Sequence, residues 1–168
     1  MTAPAPTKPA SSTATPLVRQ DIEIATRAAD HFTRLYYAAY DSDTRLADLP
    51  KFYRESSSLL WNGRPSQGPD GLTQLIKNMP STKHDVQSFD CQPVPGTSPP
   101  SLLVIVSGNV TYGRGPSGNP PNTPAKTVEG HPRAFSQTFM LVPDSSAVIK
   151  PGELLARVDV LFHSLPRC

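Results

Sequence analysis

The spacing of apolar side chains changes once along the chain, from a helical period to a strand period. Over residues 17–40 apolar positions recur every three or four residues, which predicts one long helix with a single apolar face. Short helical turns are expected over 43–54, and the run after Pro69 predicts a further helix that ends before Pro80. Helices therefore account for most of the first half of the chain.

Beyond residue 80 apolar and polar residues alternate, which is the pattern of half-buried strands. Strands are predicted over 83–92, 101–112, 134–142 and 154–163. A shorter strand over 57–61 precedes them and runs into Asn62-Gly63, the strongest short signal for a hairpin turn. Helices first and strands last predict an α+β fold, with helices packed on one face of a mainly antiparallel sheet.

Proline and glycine indicate where this domain begins and where its long loop lies. Residues 1–16 are rich in Pro, Ala and Thr and hold too few apolar side chains to order themselves, so we predict a disordered tail. Residues 17–168 are then a single domain with a long loop at 113–133. The chain of 168 residues is long enough for such a domain to bury a real hydrophobic core.

Charge and cysteine content exclude several classes of protein. The net charge is +2, from 16 basic and 14 acidic residues without a run of like charges, which argues against a dedicated nucleic-acid binder. Two cysteines give no disulfide framework, and the four histidines lack metal-ligand spacing, so neither a metal nor a cofactor is expected. Without a signal-peptide pattern or a long apolar run, we expect an intracellular protein with no membrane span.

One face of the predicted sheet is left over once the helices are packed. The helices need the apolar positions Val104, Val106, Phe135, Phe139, Leu141, Val158, Val160 and Phe162. The opposite face carries a mixture typical of a protein–protein interface: Leu103, Ile105, Ser107, Ser136, Thr138, Met140, Leu155, Arg157, Asp159 and Leu161. The alternative is that the carboxy-terminal tail or the 113–133 loop covers this face, but loops rich in glycine and proline make poor covers.

Several segments in the same order carry a family resemblance. They are "AADHFTRLYYAAYD" at 28–41, "LLWNG" at 59–63, "DCQPV" at 90–94, "LLVIVSGNVTY" at 102–112 and "FSQTFML" at 135–141. With them the chain resembles the nuclear-transport-factor-two-like superfamily, and within it the small subunits of heterodimeric mRNA export receptors. The resemblance implies a cone-shaped fold and a curved sheet whose face docks on the similar domain of a large subunit.

The function implied by this resemblance is transport, not catalysis. Such a small subunit stabilises the large one and helps to carry mRNA through nuclear pores, shuttling between nucleus and cytoplasm, while the large subunit supplies much of the binding to RNA and to phenylalanine-glycine nucleoporins. The alternative within the superfamily is a homodimeric transport factor that binds the small GTPase Ran. One departure concerns the last strand, where Leu161 stands at the position of a family arginine that pairs with the partner, and Arg157 is the candidate replacement.

The superfamily also contains enzymes that place acids and bases inside the cone. The residues of the right type here are His84, Asp90, Tyr36 and Tyr53. On a regular strand His84 and Asp90 share a face but lie about 20 Å apart, too far for a direct pair. Asp90 acting with one of the two tyrosines stays open as a less favoured alternative, and we expect no catalytic residues.

Two further features have alternative interpretations. Trp61, the only tryptophan, either closes the core where helices meet sheet or rims a cone that accepts a ligand, and packing is the favoured interpretation for a large ring on a strand. The basic residues Arg114, Lys126 and Arg133 are candidates for a supporting contact to RNA phosphates, whereas the composition of their loop favours a solvated segment.

Overall fold

The computed structural model describes residues 19–113, 131–143 and 156–164, and in the last range Val158 is the one residue whose side chain is described. The predicted tail at 1–16 and residues 114–130 of the predicted loop lie outside these ranges. So do Leu155, Arg114 and Lys126. The predictions that concern them stay predictions.

The helices follow the apolar pattern closely. Helix α1 spans Arg19–Tyr40, helix α2 spans Arg45–Asp48, a 3-10 turn covers Leu49–Phe52, and helix α3 spans Gly68–Ile76. Helix α1 ends where the Asp41 amide donates to the Tyr37 carbonyl at 3.0 Å. Pro69 lies in the first turn of α3, where its missing N–H costs nothing.

Six strands form a single sheet. They are β1 (Tyr53–Trp61), β2 (Arg64–Gln67), β3 (Thr82–Val94), β4 (Ser101–Tyr112), β5 (Arg133–Pro143) and β6 (Ala156–Ser164). Their order across the sheet is β2-β1-β6-β5-β4-β3, and every neighbouring pair is antiparallel except β1 with β6. Helix α1 packs against β3 and β4 and helix α3 against β1, so the predicted α+β arrangement is confirmed.

The turn between β1 and β2 is the one that the sequence indicated. Asn62 has φ 47° and Gly63 has φ 81°, so both central residues adopt the left-handed backbone that a tight hairpin requires. This turn brings Arg64 opposite Trp61. Strand β1 is longer than predicted, because it begins at Tyr53 directly after the 3-10 turn.

A bulge in β3 changes which residues share a face. Val86 pairs with Gly108 but Ser88 pairs with Ser107, so Gln87 is an extra residue and the alternation inverts beyond it. The prediction that His84 and Asp90 lie on one face is therefore wrong. Gly108 accommodates the bulge, since a Cβ there would lie 2.1 Å from the Asp85 carbonyl oxygen.

A second register shift changes the assignment in β6. Leu141 pairs with Val158 whereas Met140 pairs with Val160, which makes Asp159 the extra residue. Beyond it Leu161 lies opposite the buried Phe139, so its register position is on the helix-covered face. The prediction of Leu161 on the open face is therefore wrong, and Val160 and Phe162 take register positions there instead.

The core between helices and sheet is rich in aromatic rings. The ring centre of Phe139 on β5 lies 5.1 Å from that of Phe32 and 4.8 Å from that of Tyr36, and both contacts are edge to face. Phe52 packs in the same cluster, with its ring centre 5.5 Å from that of Tyr36. Trp61 is 7% exposed and stacks on Tyr40 at 6.4 Å, which confirms the prediction that it closes the core.

Candidate functional site

The open face of the sheet is built by the outward residues of β4 and β5. Across these two strands Leu103 pairs with Met140, Ile105 with Thr138, and Ser107 with Ser136. Residues directly opposite in an antiparallel pair share a face, and all six were predicted there. Ile105 is 42% exposed and the other five are half-buried, so this is an apolar surface that no helix of the described chain covers.

The face continues beyond these two strands in both directions. On β3 the exposed Asp90 pairs with Ile105, and the Ser88 hydroxyl lies 2.8 Å from that of Ser107. On the other side Phe162 is in register with both Thr138 and Leu60, which carries the face across β6 to β1. The face therefore has an apolar middle, a row of serines toward one end and a carboxylate at the β3 edge.

The remaining predicted interface residues have mixed outcomes. Arg157 pairs with Val142 near the start of β6, which is a register position on the open face. Asp159 is the bulge residue and Leu161 is in register with the covered face. Leu155 lies outside the described residues. The β6 register positions opposite the open-face residues Met140 and Thr138 are therefore Val160 and Phe162, which alternation alone assigned to the core.

Among the predicted RNA contacts, Arg133 is the one that the structure describes. It is exposed at the start of β5, opposite Val110. Burial raises the pKa of the neighbouring Tyr112, and the positive charge of Arg133 opposes that increase.

Three of the four residues considered for catalysis, His84, Tyr36 and Tyr53, lie on the helix-covered side, and the two tyrosines bond to each other. The hydroxyls of Tyr36 and Tyr53 lie 2.8 Å apart, and both rings are buried. Burial raises the pKa of both phenols, so both stay protonated at neutral pH. Asp90 lies on the opposite face of the sheet because of the β3 bulge, which rules out its action with either tyrosine.

Sequence reasoning missed a polar cluster that joins the end of α1 to β3. The Asp41 carboxylate accepts three hydrogen bonds: from the Thr82 hydroxyl at 2.9 Å, the His84 backbone N–H at 2.7 Å and the His84 Nδ1–H at 2.6 Å. The His84 side chain is 2% exposed and packs between the rings of Tyr37, Tyr40 and Phe135. His84 is therefore a packed residue whose ring Nδ1–H is hydrogen-bonded to Asp41.

The pKa of Asp41 reflects two opposing effects. Partial burial acts to raise it, but the hydrogen bonds from His84 and Thr82 stabilise the charged form and outweigh that effect, so the pKa lies below its ordinary value. A carboxylate with a lowered pKa contributes stability above its unfolded-state pKa and loses it as the pH falls through the folded-state value. The Asp41 carboxylate therefore stays ionised, and keeps its hydrogen bonds, to a lower pH than an aspartate with the ordinary pKa.

Arg45 holds the end of α3 against α2. Its guanidinium donates to the Pro80 carbonyl at 2.7 Å, to the Ile76 carbonyl at 3.4 Å and to the Met79 carbonyl. The last carbonyls of a helix have no partner within the helix, so a part-buried arginine is a suitable donor. This contact fixes the segment that leads from α3 into β3.

We expect Arg45→Met to lower the free energy of unfolding by about 2 kcal/mol, because it removes charge-assisted hydrogen bonds and keeps the aliphatic stem. Arg34→Met is the matched control. The Arg34 side chain is 74% exposed and pairs with Asp30 one turn away, so its loss is nearly neutral. Urea denaturation of both variants is the measurement. Equal changes in the two would mean that the contacts of Arg45 with the end of α3 contribute nothing of their own.

The described residues offer neither a metal site nor a membrane-spanning helix. Histidine, cysteine and carboxylate side chains in these ranges form no group that could hold a metal ion. None of the described helices combines the length and apolar character needed to cross a membrane.

Comparisons with known proteins agree with this arrangement. The family model of the nuclear transport factor 2 (NTF2) domain matches residues 28–119. An NTF2-related export protein 1 from Bos taurus is 31% identical over 126 residues, which are 73% of this chain and 77% of the relative. The NTF2-related export protein 1 of Schizosaccharomyces pombe is 34% identical over 91 residues, 54% of this chain and 76% of the relative.

A solved structure supports the same fold. The C. albicans Mtr2–Mex67 M domain complex includes a chain that matches this one with a TM-score of 0.63 and 16% identity, over 84% of this chain and 96% of that one. At this identity the likeness concerns the fold alone. The family model, in contrast, covers more than half of the sequence, and the bovine relative is similar over most of its length. The chain therefore belongs to the nuclear transport factor 2 (NTF2) domain family.

Proposed function

We propose that this chain is the non-catalytic small subunit of a heterodimeric nuclear mRNA export receptor. Its open sheet face docks on the similar domain of a large subunit, stabilises that subunit and supports its passage through nuclear pores. The chain then moves between nucleus, pore and cytoplasm, and meets phenylalanine-glycine nucleoporins and mRNA through the large subunit. Arg114, Lys126 and Arg133 remain candidates for a supporting RNA contact.

The observation that carries this proposal is the uncovered apolar middle of the sheet. Leu103, Ile105 and Met140 lie together on a face that the described helices leave open, and Ile105 is 42% exposed. Apolar side chains clustered on an uncovered sheet favour association. The similar bovine and S. pombe chains are named export proteins, and the C. albicans structure pairs Mtr2 with a Mex67 domain, which together favour a second domain of this fold as the partner.

A homodimeric transport factor that binds Ran is the second candidate, supported by the family to which the chain belongs. The burial of Trp61 against Tyr40 weighs against it, because the aromatic residue that would rim a ligand-accepting cone is committed to the core. The buried Tyr36–Tyr53 pair weighs in the same way against an enzyme.

The test is to express the full chain alone and together with a candidate large subunit, and to measure the mass of each product in solution. We expect a one-to-one heterodimer that buries about 2,000 Å² or more and survives dilution. A chain that stays monomeric alone and does not bind the candidate would overturn the proposal. A stable homodimer that captures Ran in a nucleotide-dependent pull-down would establish the second candidate instead.

A further inference from the structure

Two polar atoms on the helix-covered side lack hydrogen-bond partners in the described part of the chain. They are Oγ1 of Thr33 on α1, a residue that is 4% exposed, and Nε2 of Gln137 on β5, a residue that is fully buried. A buried polar group without a partner costs about 1–3 kcal/mol. Native proteins rarely leave such groups unpaired, and ordered internal water is the usual remedy.

The orientation of Gln137 does not remove the problem. The Tyr37 hydroxyl donates to Oε1 of Gln137, which directs the amide nitrogen elsewhere. If the amide were reversed, the nitrogen would donate to the Tyr37 hydroxyl, but the carbonyl oxygen would then be the unpaired atom. One half of the amide therefore needs a partner in either orientation.

Thr33 belongs to the same region because of its place on the helix. It precedes Tyr37 by one helical turn, so the two side chains are neighbours on the buried side of α1. Tyr37 in turn contacts Gln137, which connects the two unpaired atoms through one residue. Thr33 Oγ1 and Gln137 Nε2 do not bond to each other directly, since each is without a partner.

We propose that a water molecule is bound between Thr33 and Gln137 as a fixed part of the fold. The water accepts from the Gln137 amide N–H and donates to the Thr33 hydroxyl oxygen, and its remaining hydrogen-bonding capacity is available to Tyr37. The site suits water, or a molecule of its size with both a donor and an acceptor. The proposal is independent of the proposed export function, because it concerns the opposite side of the sheet.

The test is a double-mutant cycle with near-isosteric replacements, Thr33→Val and Gln137→Met, measured by urea denaturation of the full chain. If both residues bind one water, each substitution removes the same interaction. The combined change in the unfolding equilibrium constant then differs from the product of the single changes by about five-fold or more. Multiplicative effects would overturn the shared site.

A matched control and a direct observation complete the test. Thr26→Val is the control, because Thr26 lies on the exposed side of the same helix and donates to the Ile22 carbonyl, so it should show no coupling with Gln137→Met. A crystal structure of the unmodified chain with its partner should place an ordered water about 2.7–3.2 Å from both atoms. Density showing either atom bonded to protein alone, or no water between them, would overturn the proposal.

Discussion

Ile105→Arg should abolish co-purification of this chain with its large subunit while leaving the chain folded. Ile105 lies in the middle of the open face, between Asp90 on β3 and Thr138 on β5. An arginine there would bury a positive charge in an apolar contact. Asp90 lies directly opposite and can pair with it, but burying both charges and fitting the longer side chain against the partner's sheet still costs several kcal/mol, which corresponds to a loss of affinity of about a hundred-fold or more.

The fold should tolerate the same change. Ile105 is 42% exposed in the chain alone, so the long arginine stem can lie along the sheet while its charged end stays in water. We expect the urea midpoint of the isolated variant to stay close to that of the parent chain. A loss of binding with an unchanged midpoint would assign the effect to the interface.

Ile22→Arg is the matched control for binding. Ile22 is 50% exposed, similar to Ile105, but it lies on α1, on the other side of the sheet. This variant should co-purify normally. If Ile105→Arg also co-purified normally, or if both variants failed to the same extent, the open face would not be the docking surface.

The helices and the order of elements were predictable because their signals are local. The period of α1, Pro69 at the start of α3 and the Asn62-Gly63 turn each depend on residues within a few positions. Trp61 was also interpreted correctly, since a large ring at the junction of strand and helix seldom stays outside the core. Local signals therefore place the helices and this turn, whereas β1 begins at Tyr53, before its predicted start.

The faces of β3 and β6 were predicted less well because alternation assumes regular strands. One extra residue, Gln87 in β3 and Asp159 in β6, inverts the pattern for the rest of each strand. For β3 the sequence did contain a sign of the bulge. Gly108 lies in the neighbouring strand β4, and a glycine inside a strand is typical of a bulge or of close backbone approach. For β6 both alternating sets hold apolar residues beyond Asp159, with Val160 and Phe162 in one and Leu161 in the other, so composition does not decide which of them is on the helix-covered face.

The Asp41–His84 cluster was missed for a different reason. His84 attracted attention as a possible acid or base, but its partner Asp41 lies 43 positions away along the chain. Their meeting depends on how α1 packs across β3, which is set by the whole core. Pairings of this kind become visible once the tertiary structure is known.

Asp41→Ala should be among the most destabilising polar substitutions in the chain. It leaves the Thr82 hydroxyl and both donors of His84 without their acceptor in a part-buried region. Several unpaired donors together cost about 3 kcal/mol. For a domain of this size, that lowers the melting temperature by roughly 10 °C. Thermal denaturation followed by circular dichroism is the measurement.

Asp43→Ala separates this contact from a general effect of charge. Asp43 is exposed, carries the same charge two positions along the chain and makes none of these hydrogen bonds, so its replacement should change the melting temperature by no more than a degree or two. Comparable losses in the two variants would mean that the carboxylate of Asp41 is not what joins α1 to β3.

The pH dependence gives the same hypothesis an independent test. The pKa of Asp41 is lowered in the folded chain from an ordinary value of 3.8, so its contribution is complete well above that pH and disappears as the pH falls through the folded-state value. The stability gap between the parent chain and Asp41→Ala should therefore be widest near neutral pH and narrow in acid. A gap that stayed constant would show that the alanine acts through lost packing, because only an ionised carboxylate can lose its stabilising effect by taking up a proton.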